Sequence, residues 1–345
     1  MLAGCAKDVA RQWVQEEAVK VSGFHGAFFH GSVNWLSDDA IFPEHSDVDV
    51  MVVLDVPKPP SKLGKLVYQD VLLEISYLPK HEIASPEMVL GQYHLAGSFQ
   101  SPSIILDPTG ELTRLQAAVA KDYAKREWVY RRCQHARDKI LNAPLPDETW
   151  PFPDQVLAWL FPAAITTHIL LVAGLRNPTV RRRYVETKRL LEAYGYLDLY
   201  EPLLELLGCV QMSRKQVEHH LETLTEVFDV AKMVTRTSFF FSSDITDLAR
   251  PIAIDGSWEM IESGFYREAV FWIVATYSRC QKVFFHDGSD EMHKWADGGY
   301  RRLLLDLGIG SLAQLKQGRE KVRGLLPHVW QVAEEIMATN PEIED

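Results

Sequence analysis

Ser46-Asp47-Val48-Asp49-Val50-Met51-Val52-Val53 is the stretch on which the reading of this chain turns. From Asp47 to Leu54 it is valine-rich and strongly apolar, the composition of a buried strand. Side chains alternate faces along a strand, so Asp47 and Asp49 point the same way. Taken alone, an Asp-x-Asp of this kind is simply a strand whose acidic end is solvated. Held at the head of a central strand, however, two like charges side by side are costly unless a cation compensates them. Mg²⁺ suits such a pair, because it takes one or two carboxylates together with waters and substrate phosphates.

The residues on either side give the pair a context. Upstream, Phe24 to His30 reads as a short strand that runs into Gly31-Ser32 and the start of a helix. Glycine lets a phosphate approach the backbone, and free N–H groups at a helix start bind anions. Downstream, Leu66 to Tyr68 and Val71 to Leu78 read as two strands of a hairpin turning at Gln69-Asp70. Glu74 lies mid-strand among leucines and isoleucine, on the face of Leu72 and Ser76, and is a candidate third carboxylate.

The ordered set of strand, Gly-Ser, Asp-x-Asp strand and a strand bearing a third acid resembles the nucleotidyltransferase superfamily of DNA polymerase beta. Within it, the chain is most similar to the aminoglycoside nucleotidyltransferases, the streptomycin/spectinomycin and kanamycin adenylyltransferases. The residues that carry the resemblance are Gly31, Ser32, Asp47, Asp49 and Glu74, within about residues 24–78. The resemblance implies an α+β catalytic domain, a mixed sheet with helices, followed by an all-α helical bundle. It also implies a nucleoside triphosphate (ATP) as co-substrate, with two Mg²⁺ ions held by Asp47, Asp49 and Glu74. Glu74 then either binds the metal nearest the acceptor or takes the acceptor's proton. Gly31 and Ser32, with Ser46 beside the first aspartate, are expected to hold the triphosphate. One departure is the spacer Val33 to His45 between Ser32 and Ser46, a few residues longer than in the antibiotic enzymes, which bears on loop shape and acceptor.

The whole chain is consistent with two domains. Its 345 residues exceed what one core usually supports. The first domain is expected over 1–112, opening with an amphipathic helix at 3–20 and including a Ser85-capped helix and a short strand at Ile104 to Leu106. The second, a substrate-binding helical domain, is expected over 113–345. It begins with one long charged helix from Glu111 to Leu141 and continues after a proline-rich linker at about 142–154. A net charge of −11 and a pI near 5.6 speak against a general nucleic-acid binder and for a polar or cationic small acceptor. Four scattered cysteines, Cys5, Cys133, Cys209 and Cys280, form neither a zinc pattern nor a disulfide framework. With no apolar leader region at the N-terminus, a cytoplasmic location is expected. The apolar run Val156 to Leu175 carries Pro162 and His168 and is read as a buried bundle helix rather than a membrane span.

Further candidates are weaker. The run Asn177 to Arg189 is expected to begin a helix with a dense positive cluster, with Arg181 and Lys188 on one face reaching toward the triphosphate; its plain alternative is a solvated charged face. The run His286 to His293 is read as a loop, the Arg214/His219 spacing as accidental, His168 as a core histidine, and Trp150, Trp159, Trp258, Trp272 and Trp295 as packing. The expected activity is Mg²⁺-dependent transfer of a nucleoside monophosphate, AMP from ATP, to a hydroxyl of a small polar or cationic, aminoglycoside-like acceptor. A monomer or homodimer is expected. Two rivals stay open at this level: a nucleotide-binding regulatory protein without transfer, and a nucleotidyltransferase acting on protein or RNA.

Overall fold

The computed structural model describes residues 1–345. A five-stranded mixed sheet occupies the N-terminal part: β1 (Phe24–Phe29), β2 (Val48–Leu54), β3 (Gly64–Tyr68), β4 (Val71–Pro79) and β5 (Ile104–Leu106), in the order β3-β4-β2-β1-β5. The Asp47-Asp49 segment thus feeds the middle strand. β2 and β4 run parallel, and the other neighbouring pairs are antiparallel. After Leu106 the chain is helical, with no further strand in either remaining segment.

Period-two patterning sorts β2 between two cores. Val48, Val50, Val52 and Leu54 enter one core with Ala6, Ala10, Trp13 and Val14 of helix α1 (Ala3–Glu16). Val53 and, at its margin, Met51 join the other with Phe28, Leu78, Phe99 and Leu112. Asp47 and Asp49 precede Met51 and Val53 on that second face. Each valine or leucine so buried contributes about 1.5–3 kcal/mol, so the apolar run fixes the acids' facing.

The Gln69-Asp70 turn has both residues at positive φ, 46° and 62°, the two-residue geometry whose twist matches the flanking strands. It sets the hairpin register, pairing Tyr68 with Val71 and, three residues back, Lys65 with Glu74. The long spacer after Ser32 also acquires a structural role. Ala40 and Asp38 carbonyls accept from Ala3 N–H (2.8 Å) and Gly4 N–H (2.9 Å), so the loop caps the first turn of α1.

Two compact units are present. The first comprises Met1–His135, Leu175–Asn177 and Asn340–Asp345, and the second Ala136–Gly174 and Pro178–Thr339. The division therefore lies beyond the expected 112/113 point. The expected single helix from Glu111 is two, α3 (Glu111–Asp122) and α4 (Arg126–Leu141), separated at Tyr123–Lys125. α3 packs with the short helix α2 (Pro86–Leu90), whose cap is Ser85, and with β5, so it completes the sheet's second core. The proline-rich segment at 142–154 is correspondingly not a joint between the units: it links α4 to α5 (Phe152–Ala173) inside the second unit.

α5 is long and apolar enough to cross a membrane by length and composition, but most of it is buried among the other helices. Its main partner is α12 (Leu312–Thr339), from which buried Arg319 donates to the carbonyls of Ile140 (3.2 Å) and Ala143 (3.1 Å). That guanidinium satisfies carbonyls left over at the end of α4. His168 is a core residue whose Nε2 lies 3.0 Å from the Thr179 carbonyl oxygen.

Replacing Gln69-Asp70 by Asn-Gly should stabilise the first unit by about 1 kcal/mol, since both positions then tolerate the left-handed conformation. Denaturant unfolding is the check; an unchanged or lower midpoint would contradict this turn geometry.

Candidate active site

The parallel register of β2 and β4 places Asp49 directly beside Glu74. Asp47 lies two residues earlier on the same face. One oxygen from each of the three carboxylates falls within 4.8 Å of the others. Three carboxylate oxygens this close together form the kind of donor set that a hard divalent cation takes. All three side chains are partly buried.

The turn after β1 completes this arrangement. A 3-10 turn, Gly31–Trp35, begins as β1 ends, and Asn34 Nδ2 ties it back to the Phe29 carbonyl at 2.6 Å. Gly31 sits at φ +62°, and a Cβ there would lie 2.2 Å from Asp49 Oδ2. Glycine is required on both counts, backbone and space. Just before it, His30 N–H donates to the Asp49 carbonyl (2.9 Å), and His30 Nδ1 pairs with Ser98 Oγ (2.7 Å). Burial pushes the His30 imidazole down to about 4, against a smaller upward pull from Glu74. Ser32 and Ser46 are half-buried in the segments that lead from Gly31 and into Asp47.

Two lysines that sequence reading passed over touch the carboxylates directly. Lys65 Nζ reaches both Asp47 Oδ2 and Glu74 Oε2, the latter at 2.6 Å, and Lys62 Nζ bonds Glu74 Oε1 at 2.7 Å. Lys65 is nearly enclosed, with a side chain 6% exposed. Its place opposite Glu74 follows from counting back from the Gln69-Asp70 turn, which was the signal available in the sequence. Electrostatics divide the three acids. Burial raises Asp49 well above the usual carboxylate range, and the charges of Asp47 and Glu74 add to this. Burial likewise raises Asp47, with Lys65 opposing. For Glu74, burial acts upward but Lys65 and Lys62 outweigh it and hold the group at about 2. The same partners raise Lys65 above an ordinary lysine despite its burial.

The basic residues expected from the helical part have partners within the second unit. Arg181 precedes α6 (Arg183–Tyr194) rather than sharing a helical face with Lys188, because the helix begins only at Arg183. Its Nη1 donates to the Ile252 carbonyl at 2.8 Å, within the second unit. Lys188 lies on α6 with its ammonium 5.4 Å from the centre of the Tyr200 ring. The run His286 to His293 is not the expected loop: the helix Tyr266–Asp287 ends and the helix Asp290–Asp306 begins within it, with Gly288-Ser289 between them, and Asp287 accepts from the backbone N–H groups of Arg236 (2.7 Å) and Thr237 (2.8 Å). Arg214 pairs with Glu218 at 2.7 Å, leaving no link to His219. Trp159 is buried, whereas Trp295 is 48% exposed.

Neither models of known protein families nor curated proteins match this sequence. The site therefore has to be judged on its own geometry.

Two outcomes test that geometry. Gly31→Ala should cost about 2 kcal/mol or more through the positive φ, and should displace the Asp49 carboxylate. Denaturant unfolding reads the first effect and Mn²⁺ binding the second; full retention of both would contradict the described packing. For His30, the folded value lies below the unfolded one. The unfolded chain therefore takes up the proton first, and stability falls as pH drops from about 6.5 to about 4. In His30→Gln this part of the pH dependence should vanish; an identical profile in wild type and variant would refute it.

Proposed function

We propose that the first unit is the catalytic half of a Mg²⁺-dependent nucleotidyltransferase that moves AMP from ATP to a hydroxyl of a small polar or cationic compound. The observation that carries this reading is the convergence of Asp47, Asp49 and Glu74 from adjacent strands beside the Gly31 turn. Three carboxylate oxygens within 4.8 Å of one another suit a pair of hard cations, which when bound would neutralise charge at the α-phosphoryl group and on the departing pyrophosphate. The ordinary alternative, a solvated acidic strand end, fits poorly with partly buried acids whose charge is met by an enclosed lysine.

Each residue of the set has a task in this reading. Asp47 and Asp49 hold the cations. The Gly31 backbone, free of a side chain, lets phosphate oxygens approach the N–H groups of the 3-10 turn, and the Ser32 and Ser46 hydroxyls add donors. Glu74, set beside Asp49 by the strand register, completes the donor set as a third ligand. Lys65 and Lys62 supply positive charge toward the triphosphate, the part first expected of Arg181 and Lys188. An acidic chain with net charge −11 favours approach of a cationic acceptor, an aminoglycoside-like amine being the lead candidate. The cytoplasm, where ATP and Mg²⁺ are plentiful, is the setting proposed for this chemistry.

The test is incubation with α-labelled ATP, Mg²⁺ and a panel of amino-alcohol, aminoglycoside and polyol acceptors, read as pyrophosphate release and as an acceptor heavier by one AMP. Wild type should show both. Asp49→Asn should lower the rate by about 10³-fold or more while keeping its far-UV spectrum. Transfer that survives Asp49→Asn, or label that appears only on protein or RNA, would overturn the assignment.

A further inference from the structure

The position of Lys65 raises a question that the carboxylates alone do not. Its ammonium bonds one oxygen of Asp47 and one of Glu74, two of the three groups assigned to the metals. Lys62 holds the other oxygen of Glu74. A cation coordinated by the triad needs those same lone pairs. An ammonium and a divalent ion cannot share them, since they would lie within a few ångströms of each other in a partly dry site.

We propose that Lys65 is a built-in competitor of the metal: its ammonium occupies the carboxylate cradle, and loading of the metal–nucleotide requires it to swing out toward the triphosphate. The inference rests on the function proposed above and concerns how that same site is controlled. Three observations support it. First, the ammonium is seated as a ligand of the acids would be: Lys65 Nζ lies 2.6 Å from Glu74 Oε2 and also bonds Asp47 Oδ2, and its side chain is only 6% exposed. Second, Lys65 lies on β3, the edge strand of the sheet, so its side chain can move without disturbing the β2–β4 pair that holds the acids. Third, a lysine has a flexible four-carbon stem and a compact charge, and it binds phosphate as a point charge. The metal alone therefore meets an occupied cradle. A metal that arrives with a triphosphate brings an anion able to receive the displaced ammonium. The arrangement would make metal binding depend on nucleotide and would discourage idle metal uptake.

The experiment is titration of full-length protein with Mn²⁺, followed by electron paramagnetic resonance of the free ion, with and without ATP. Wild type should bind Mn²⁺ weakly alone and much more tightly with ATP. Lys65→Met should bind Mn²⁺ alone at least about tenfold more tightly than wild type, and the ATP dependence should shrink. Lys62→Met, which leaves Lys65 in place, should produce a smaller gain. Lys65→Gln keeps an N–H donor for the acids and serves where Lys65→Met folds poorly; it should show the same direction of change. A Lys65→Met chain that refolds only with Mn²⁺ present would also support the proposal.

Equal or weaker Mn²⁺ binding in both Lys65 variants would overturn the proposal while leaving the nucleotidyltransferase reading intact, provided that wild type binds Mn²⁺ with ATP in a manner lost in Asp49→Asn. Absence of any Asp49-dependent binding, with or without ATP, would instead remove the reading on which it rests.

Discussion

Three carboxylates brought together on one face of a sheet repel each other, and everything at this site follows from how that repulsion is met. The β2–β4 pairing sets Asp49 against Glu74, and alternation along β2 adds Asp47. Moving them to the other face would take a one-residue slip that exposes the valines and leucines now buried there. The hydrophobic core thus enforces an electrostatic cost, and the cost creates a demand for positive charge. Lys65 and Lys62 meet it in the structure; divalent cations meet it in the proposed reaction.

The surrounding elements serve this constraint. Gly31 clears the space beside Asp49 and starts the 3-10 turn that follows β1. The spacer after Ser32 is anchored to the first turn of α1, which in turn packs on β2, so the loop contributes to the fold of the first unit. The Gln69-Asp70 turn fixes which β3 residue stands opposite Glu74, and a slip of one residue there would put Lys65 on the other face. A local turn preference is thereby coupled to the charge balance of the site.

Much of this was legible in the chain. Valine-rich alternation, the Gly-Ser turn, the hairpin dipeptide and the lone glutamate among apolar neighbours each pointed to the sheet and to the acids, because short-range periodicity determines which residues share a face. What escaped was of longer range. Lys65 is unremarkable as a lysine next to a strand until the hairpin register is counted. Arg181 and Lys188 looked available because a basic run says nothing about whether a backbone carbonyl, here that of Ile252, or an aromatic ring, here Tyr200, already engages each charge. The break between α3 and α4 was hidden because both halves carry helical periodicity, and only packing of α3 onto the sheet's second core assigns it to the first unit.

Diffraction from crystals grown with Mn²⁺ and a non-hydrolysable ATP analogue, recorded near the manganese edge, tests the central claim most directly. The account predicts anomalous density within about 2.2 Å of oxygens from Asp47 and Asp49, with Glu74 drawn inward and the Lys65 ammonium moved off the acids. Manganese bound elsewhere, with Lys65 still seated between Asp47 and Glu74, would contradict it.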